Sequence, residues 1–363
     1  MLRNFVKYIM VVVTAMIVIC YFIGLSAQWI SPEKMGVPTY FVMAMPLWIL
    51  LIFALIIFWL CCKKWFYALT VIAIMTLTFG QWRNVITFNT TKEIPQKEKI
   101  KILTFNTHIF NNQNDEGFKK IAQFIKESDA DIVCLQEFGY FHRYGASKQE
   151  ILKFFDSIYP YRHLWFKNQH KWGENGLATF SRYPIIKKKK IEYKSADNIS
   201  IYSDIVINED TIRIINNHLE SNKLNKEDRQ FASKLVDEGN NSQEILNAGM
   251  KIGSRLVTGA KNRVQQAVAV RQTIDETNYP TIALGDFNDV PLSFTYSTIK
   301  KDMQDAYAEA GNWGYHWTYN KSIMLFPIDH ILTSKKFNII DCTIHREMKI
   351  SDHYPMSCEL QVK

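Results

Sequence analysis

Between Lys99 and the C-terminus of this 363-residue chain, six short apolar segments each run straight into a cluster of Asp, Glu, Asn or His. Ile102-Leu103-Thr104-Phe105 leads to Asn106-Thr107-His108, Ile132-Val133-Cys134-Leu135 to Gln136-Glu137, and Ile212-Arg213-Ile214-Ile215 to Asn216-Asn217-His218. Ile282-Ala283-Leu284-Gly285 leads to Asp286-Phe287-Asn288-Asp289, Ile328 to Asp329-His330, and Ile350 to Ser351-Asp352-His353. Short β-branched runs bounded by polar residues read as strands, and the unbroken apolar run before Gln136 reads as a strand buried on both faces. One polar strand end is ordinary. Six of similar chemistry ask for a fold that gathers strand ends at one rim, where a rigid scaffold holds reactive side chains.

The rest of this segment fits that demand. Asp115–Ser128 puts Phe118, Ile121, Ala122 and Ile125 on one helical face, and Lys148–Ile158 also reads as a helix. Four successive strands are expected over 175–180, 185–193, 199–207 and 211–217, with a turn at Asn208-Glu209-Asp210. Four more are expected over 281–284, 331–333, 339–346 and 356–362. Residues 225–278 read as polar and largely helical, interrupted at Gly239 and Gly253, with Val264, Ala267, Val268 and Ile274 on one face. About ten strands with few helices predict a four-layer α/β sandwich, two packed and mostly antiparallel sheets flanked by helices. The expected domain spans 99–363, with a helical insertion at about 225–260.

Residues 1–82 are of another kind. Apolar runs at about 5–25, 40–60 and 65–80 predict a membrane anchor of three transmembrane helices, the third bracketed by Trp65 and Trp82 as interfacial residues would be. A cleaved signal is the alternative for the first run; its length, the missing small-x-small cleavage site and the two runs that follow argue against it. Arg3, Lys7, Lys63 and Lys64 place the N-terminus and the second loop in the cytoplasm, so three crossings leave everything after Gly80 on the non-cytoplasmic side, periplasmic or extracellular if bacterial. Residues 83–98, polar and containing Pro95, read as a linker.

Residues 1–94 carry +5 of the total charge of +8, so the high pI belongs largely to the anchor, and a generally basic nucleic-acid-binding domain is excluded. Lys187–Lys190 is a local exception, either a solvated strand edge or a contact for phosphates or anionic headgroups. Cys134, Cys342 and Cys358 read as buried thiols, with a Cys342–Cys358 disulfide left open; no zinc spacing occurs, and no GxSxG elbow supports a serine nucleophile.

In order and rough spacing, LTFNTH, LQE, NNHLES, LGDFND, IDHIL and SDHYP resemble the motifs of the endonuclease/exonuclease/phosphatase (DNase I-like) superfamily, which includes nucleases, inositol polyphosphate phosphatases and neutral sphingomyelinases. With its apolar N-terminal runs the chain resembles a membrane-anchored bacterial branch of that group. The resemblance implies hydrolysis of phosphoesters with Mg²⁺, or Mn²⁺ in its place. It implies that Glu137 binds the metal with Asn106 beside it and Asp352 within reach, and that His218 contacts the scissile phosphate. Asp286 would orient or deprotonate the attacking water, Asn288 would hold a phosphate oxygen, and Asp329 would orient His353 as acid/base. His330 reads as a strand residue, and His108, His142, His163, His170, His316 and His345 as outside the chemistry, although some relatives carry an acidic residue where His108 stands. Phosphoester cleavage needs a positioned water, a cation on the non-bridging oxygens and help for the leaving oxygen, and these residues supply all three.

The expected function is therefore a membrane-anchored, metal-dependent phosphoesterase acting on lipid or other envelope phosphoesters, with the lipid bilayer as partner and no protein partner indicated. Trp165, Phe166 and Trp172 are candidates for headgroup contact. An outward-facing nuclease on DNA or RNA is the alternative, and a catalytically silent binding module the second.

Overall fold

The computed structural model of the protein describes residues 2–89, 99–111, 115–141, 145–170, 173–195, 198–223, 242–321 and 325–363. Most of the expected linker, Gly239, the first part of the expected insertion, His142 and Trp172 lie outside the described residues.

The N-terminal region is helical: α1 (Leu2–Ser26), α2 (Val37–Met43), α3 (Met45–Cys61), α4 (Trp65–Leu77) and α5 (Phe79–Trp82). Of the three expected spans, α1 is long and apolar enough to cross a membrane. The second apolar run is broken, with α2 and α3 meeting at 65°. Pro46 sits in the first turn of α3. It can donate no amide hydrogen to the preceding turn, and its ring crowds that turn's carbonyl, so a helix starts there and does not pass through. The third, α4, has 13 residues, about 20 Å of helix against a hydrocarbon core of about 30 Å. The helices pack up and down. Leu55, Trp59, Ala68, Met10 and Tyr67 cluster at one end, where Lys7 Nζ lies 5.7 Å from the Tyr67 ring. Tyr21, Leu25, Met45, Ile49, Met75 and Trp82 cluster at the other, together with Val290 and Leu292 of the following domain. The outer faces remain apolar: Phe5, Val12, Met16, Leu50, Ile57, Phe66 and Leu69 are exposed.

The rest is a sandwich. In chain order the strands are β1 (Ile86–Thr87), β2 (Ile100–Asn106), β3 (Ile132–Phe141), β4 (Tyr161–His170), β5 (Gly173–Ser181), β6 (Ile185–Ile191) and β7 (Ile199–Ile207). They continue as β8 (Asp210–His218), β9 (Thr281–Asp286), β10 (Gln304–Asp305), β11 (Gly314–Tyr315), β12 (Asp329–Thr333), β13 (Phe337–Ile344) and β14 (Met356–Val362). The helices among them are α6 (Asp115–Ser128), α7 (Lys148–Asp156), α8 (Ser242–Asp275), α9 (Phe294–Lys300) and α10 (Ala306–Ala310). One six-stranded sheet has the order β13-β14-β2-β3-β5-β4 and the other β10-β12-β9-β8-β7-β6. Each is antiparallel except for one central pair, β2–β3 and β8–β9 respectively.

Alternation along the strands separates the layers. Ile102, Cys134, Ile214, Ile282 and Ile331 fill the space between the sheets. Leu103, Phe105, Val133 and Leu135 point the other way, onto Phe118, Ile121 and Ile125 of α6 and Ile151 and Phe155 of α7. Ile215, Ala283 and Leu332 likewise meet Ala267, Val270 and Ile274 of α8 and Tyr296 and Ile299 of α9. Cys342 and Cys358 face each other across β13–β14 as free, buried thiols. Lys187–Lys190 lies on the edge strand β6 and is largely exposed, with Lys190 paired to Glu192.

Two expectations change. Strand β4, unforeseen in a polar and aromatic stretch, closes the edge beside β5 and carries Trp165, which stays exposed, and Phe166, which is half-buried. Gly253 does not interrupt a helix: α8 runs through it, and the missing side chain makes room for the Tyr40 ring of α2, which lies 3.1 Å from where an added Cβ would stand. Gly285, beside the site, is held by a backbone constraint. Its φ is +117°, and an added Cβ would lie 2.2 Å from the Asn217 carbonyl oxygen. Gly285→Ala is expected to cost at least about 2 kcal/mol, measurable as a lowered Tm; an unchanged Tm would show that β8 and β9 can separate without penalty.

Candidate active site

Strand direction alone brings the polar clusters together. The parallel pair β2–β3 ends at Asn106 and Gln136, which are register partners, and the parallel pair β8–β9 ends at His218 and Asp286, also partners. β12 runs against β9 and begins opposite its end, Asp329 facing Asp286. β14 runs against β2 with Met356 opposite Thr104, so the loop before it delivers Ser351–His353 beside Asn106. All six clusters therefore share one rim. Below them, Gln136 Nε2 donates to Asn216 Oδ1 (2.7 Å) across the two sheets, and Asn216 Nδ2 donates to the Ala178 carbonyl (3.0 Å). A buried, satisfied pair of this kind fixes how the sheets face each other.

Asp286 is the hub. Its Oδ1 accepts from the Asn288 amide (2.8 Å), and its Oδ2 accepts from Asn106 Nδ2 (3.0 Å) and Asn288 Nδ2 (3.1 Å). Nε2 of His218 and Nε2 of His353 each stand 3.7 Å from the same Oδ2. Burial pushes the carboxyl up to about 6, against the pull of the imidazoles. His353 Nδ1 lies 2.8 Å from Asp329 Oδ2. Burial disfavours the charged ring, but Asp329 and then Asp286 outweigh it and hold His353 up to about 10, as an imidazolium at neutral pH. Asp329 is itself fixed, since Thr318 Oγ1 accepts the amides of Ile328 (3.1 Å) and Asp329 (3.0 Å). Asn288, at φ +52°, also donates from Nδ2 to the Leu219 carbonyl (2.9 Å).

Across the rim, Glu137 sits at a β-bulge in β3 with φ +47°, an irregularity that turns its carboxylate out of the sheet into the cleft. Burial works against its charge, but His108 and His218 hold it down at about 2. Glu137 Oε1 accepts from Asn106 Nδ2 (3.4 Å) and lies 3.8 Å from His218 Nε2. His108 Nδ1 stands 3.4 Å from Glu137 Oε2 and 3.5 Å from Asp352 Oδ1, and the Glu137 bond raises its pKa. Ser351 Oγ donates to the Asn106 carbonyl (2.7 Å) and accepts the His353 amide (3.2 Å), stitching the last loop to β2.

Two donor sets could hold a cation. Glu137 and Asp352 present carboxylate oxygens on either side of His108 Nδ1, at 3.4 and 3.5 Å, and the Asn106 side-chain oxygen, which accepts the His108 amide (3.1 Å), lies between the same segments. Carboxylate and amide oxygens are the donors a hard divalent ion takes. Asp286, Asp329 and His353 place their ligand atoms within 4.8 Å of one another. The His353–Asp329 bond already occupies one ring nitrogen of that second set. The first set fits Mg²⁺ or Mn²⁺ better. A cavity of about 300 Å³ opens beside it, lined by Glu137, Lys167, Asn175, Asn198, His218 and Ser221.

All eight residues singled out from the sequence thus lie at this rim, and His330 does not, its Nε2 pairing with the Asp289 carbonyl (2.9 Å). His163, His316 and His345 also lie elsewhere, as expected; His163 Nδ1 pairs with Ser203 Oγ (3.0 Å). His108, placed outside the chemistry by the sequence, is inside the site. Thr318 and Lys167 had no motif to mark them.

Residues 103–353 match the family model described as Endonuclease/Exonuclease/phosphatase family, and the chain belongs to that family. Residues 7–85 match a second model, described as Domain of unknown function (DUF8431). No curated protein matches. Among solved structures, the endonuclease/exonuclease/phosphatase from Beutenbergia cavernae DSM 12333 superposes with a TM-score of 0.52 at 15% identity, over 73% of this chain and 72% of that one. Truncated Caenorhabditis elegans TDP2 superposes at 0.51 and 14% identity, over 72% and 97%. The 3′ phosphatase NExo from Neisseria, bound to product DNA hairpin, superposes at 0.50 and 15% identity, over 73% and 99%. At such identity the likeness is one of fold.

The His353 pairing has a measurable sign. A folded pKa above the unfolded one means that its contribution to stability is complete below about 6.5 and is lost as the pH rises through about 10. In ¹⁵N-histidine NMR of the metal-free protein, the His353 ring should remain protonated from pH 6 to 8, and Asp329→Asn should bring its titration down into that range. A wild-type ring titrating near 6.5 would contradict the pairing.

Proposed function

We propose that the protein is a membrane-anchored, metal-dependent phosphoesterase whose substrate is a lipid or other envelope phosphoester. The observation that carries the hydrolytic reading is the meeting of a charged imidazole, His353, and a buried carboxylate of raised pKa, Asp286, beside an oxygen-donor set on one rim. A divalent ion held by Glu137, Asp352 and Asn106 would neutralise charge on the non-bridging oxygens. Asp286, aligned by Asn106 and by both the amide and the side chain of Asn288, takes the proton of the attacking water. Because both Nδ2 hydrogens of Asn288 are engaged, its part is to steer Asp286. His218 and the imidazolium of His353 stabilise the phosphoryl oxygens, and His353, held by Asp329, is placed to donate to the leaving oxygen.

Support for the anchor comes from helices α1, α3 and α4, apolar on their outer faces as helices facing lipid are. Lys7, Lys63 and Lys64 gather at the end of the bundle away from the domain, the asymmetry expected of three crossings with the domain on the non-cytoplasmic side. On this reading residues 1–82 form the anchor and 99–363 the catalytic domain, and 83–98 join them, the described part of this join being held to the domain by the β1–β11 pair and the Arg83–Glu309 ion pair.

The test is a phosphoester panel of DNA, RNA, sphingomyelin, phosphoinositides and aryl phosphates with Mg²⁺ or Mn²⁺, wild type beside His353→Ala and Glu137→Ala. Turnover of a lipid or aryl substrate, reduced about 10²–10⁴-fold in either variant, is expected. Rapid DNA cleavage with no lipid turnover would replace the lipid reading by the nuclease one, and variants equal to wild type on every substrate would leave a binding module. The metal-loaded rate should hold level from pH 6 to 8, because a bound divalent cation lowers the Asp286 carboxyl below its metal-free position near 6 while His353 stays protonated; a rate falling between pH 6 and 8 would contradict these roles.

A further inference from the structure

Helix α8 is 34 residues long, about 50 Å, and its two halves face different things. The C-terminal half lies on the sheet through Ala267, Val270 and Ile274. The N-terminal half presents a stripe of Leu246, Met250, Gly253 and Val257, spaced to share one helical face. The lower part of that stripe is docked on the N-terminal region: Val257 lies where a side chain on Gly36 would stand, 2.7 Å from an added Cβ, and Gly253 closely admits the Tyr40 ring. Among the described residues the upper part has no such cover, with Leu246 55% and Met250 58% exposed.

The docked end of the stripe meets the bundle at its domain-facing end. There Trp29, Met35, Val37 and Tyr40 form an exposed apolar collar around the turn between α1 and α2. An exposed Trp and Tyr at the end of an apolar bundle are what the boundary between hydrocarbon and headgroups selects. Leu246 and Met250 continue this collar, and the exposed Lys251 adds a cation next to it. An amphipathic helix with apolar residues on one face and cations beside them suits the plane of a bilayer surface.

The same helix reaches the catalytic loops. Arg263, fully buried, donates from Nε to Asp289 Oδ2 (3.1 Å) and from Nη1 to the Glu220 carbonyl (2.7 Å) and Asn222 Oδ1 (3.0 Å). Asp289 follows Asn288, and Glu220 lies two residues beyond His218. On the next turn of chain, Val290 and Leu292 are packed in the core of the anchor.

We propose that the N-terminal half of α8 is an interfacial arm lying in the headgroup layer, which seats the catalytic rim on the bilayer so that the substrate is a phosphoester presented by the membrane surface. This rests on the membrane and phosphoesterase readings above, and the experiment separates their failure from its own. In full-length protein with Cys20, Cys61 and Cys62 replaced by Ser, one cysteine is placed at Met250, at Met16 of α1 or at Lys120 of α6 in the opposite outer layer. Each is labelled with an environment-sensitive fluorophore and reconstituted into phosphatidylcholine–phosphatidylglycerol vesicles carrying lipid spin-labelled near the headgroup or, in a parallel sample, in the middle of the acyl chain.

The label at Met250 should be quenched about twofold or more relative to Lys120 by the headgroup spin label, and the label at Met16 likewise by the mid-chain one. Quenching at Met16 with Met250 equal to Lys120 would overturn the interfacial arm and leave the anchor standing; absence of quenching at Met16 would overturn both. In addition, Leu246→Asp with Met250→Asp should lower the ratio of the rate on vesicle-borne phosphoester to that on a soluble aryl phosphate about tenfold. A ratio equal to wild type would contradict the proposal.

Discussion

Everything at the rim refers to one buried carboxylate. Asp286 has almost no water around it and instead takes three N–H donors from Asn106 and Asn288, with the rings of His218 and His353 at 3.7 Å. A buried charge tolerates such a place when its hydrogen-bond partners are fixed. Here every partner belongs to a different segment, so the requirement to satisfy Asp286 positions β2, β8, the loop after β9 and the loop before β14 relative to one another. Glu137, 3.4 Å from the same Asn106 side chain, is tied into the arrangement at one remove.

Strand direction makes this possible. An antiparallel sheet alone would send consecutive strand ends to opposite edges. One parallel pair at the centre of each sheet sends four ends to the same edge, and the neighbours that run back begin there. The Gln136–Asn216 bond between the sheets then fixes their facing just below the site. Gly285 belongs to the same logic, because β9 passes the Asn217 backbone too closely for a side chain one residue before Asp286.

Much of this was legible in the residues. Apolar runs ending in Asn106, Glu137, His218, Asp286, Asp329 and His353 carried both the sandwich and the rim, since strand periodicity and strand-end chemistry are local properties of sequence. What local pattern does not carry was missed. β4 mixes polar and aromatic residues because it is an edge strand whose partner on one side is β5. Gly253 looked like a break and is a contact point, which depends on where Tyr40 arrives from more than 200 residues away. His108 looked incidental, and its ring stands between two carboxylates set by strand β3 and the final loop. The second apolar run looked like one span, whereas Pro46 divides it.

The division of labour across the rim is the central claim: oxygen donors around Glu137 hold the ion, and the His353–Asp329 pair with Asp286 handles protons. Calorimetric titration of Mn²⁺ into purified wild type, Glu137→Gln and His353→Ala tests it without reference to any substrate. The account predicts that Glu137→Gln weakens binding at least about tenfold, in line with the loss of one charged oxygen ligand, while His353→Ala binds the ion nearly as wild type does. Binding retained in Glu137→Gln and abolished in His353→Ala would contradict it and assign the ion to Asp286, Asp329 and His353.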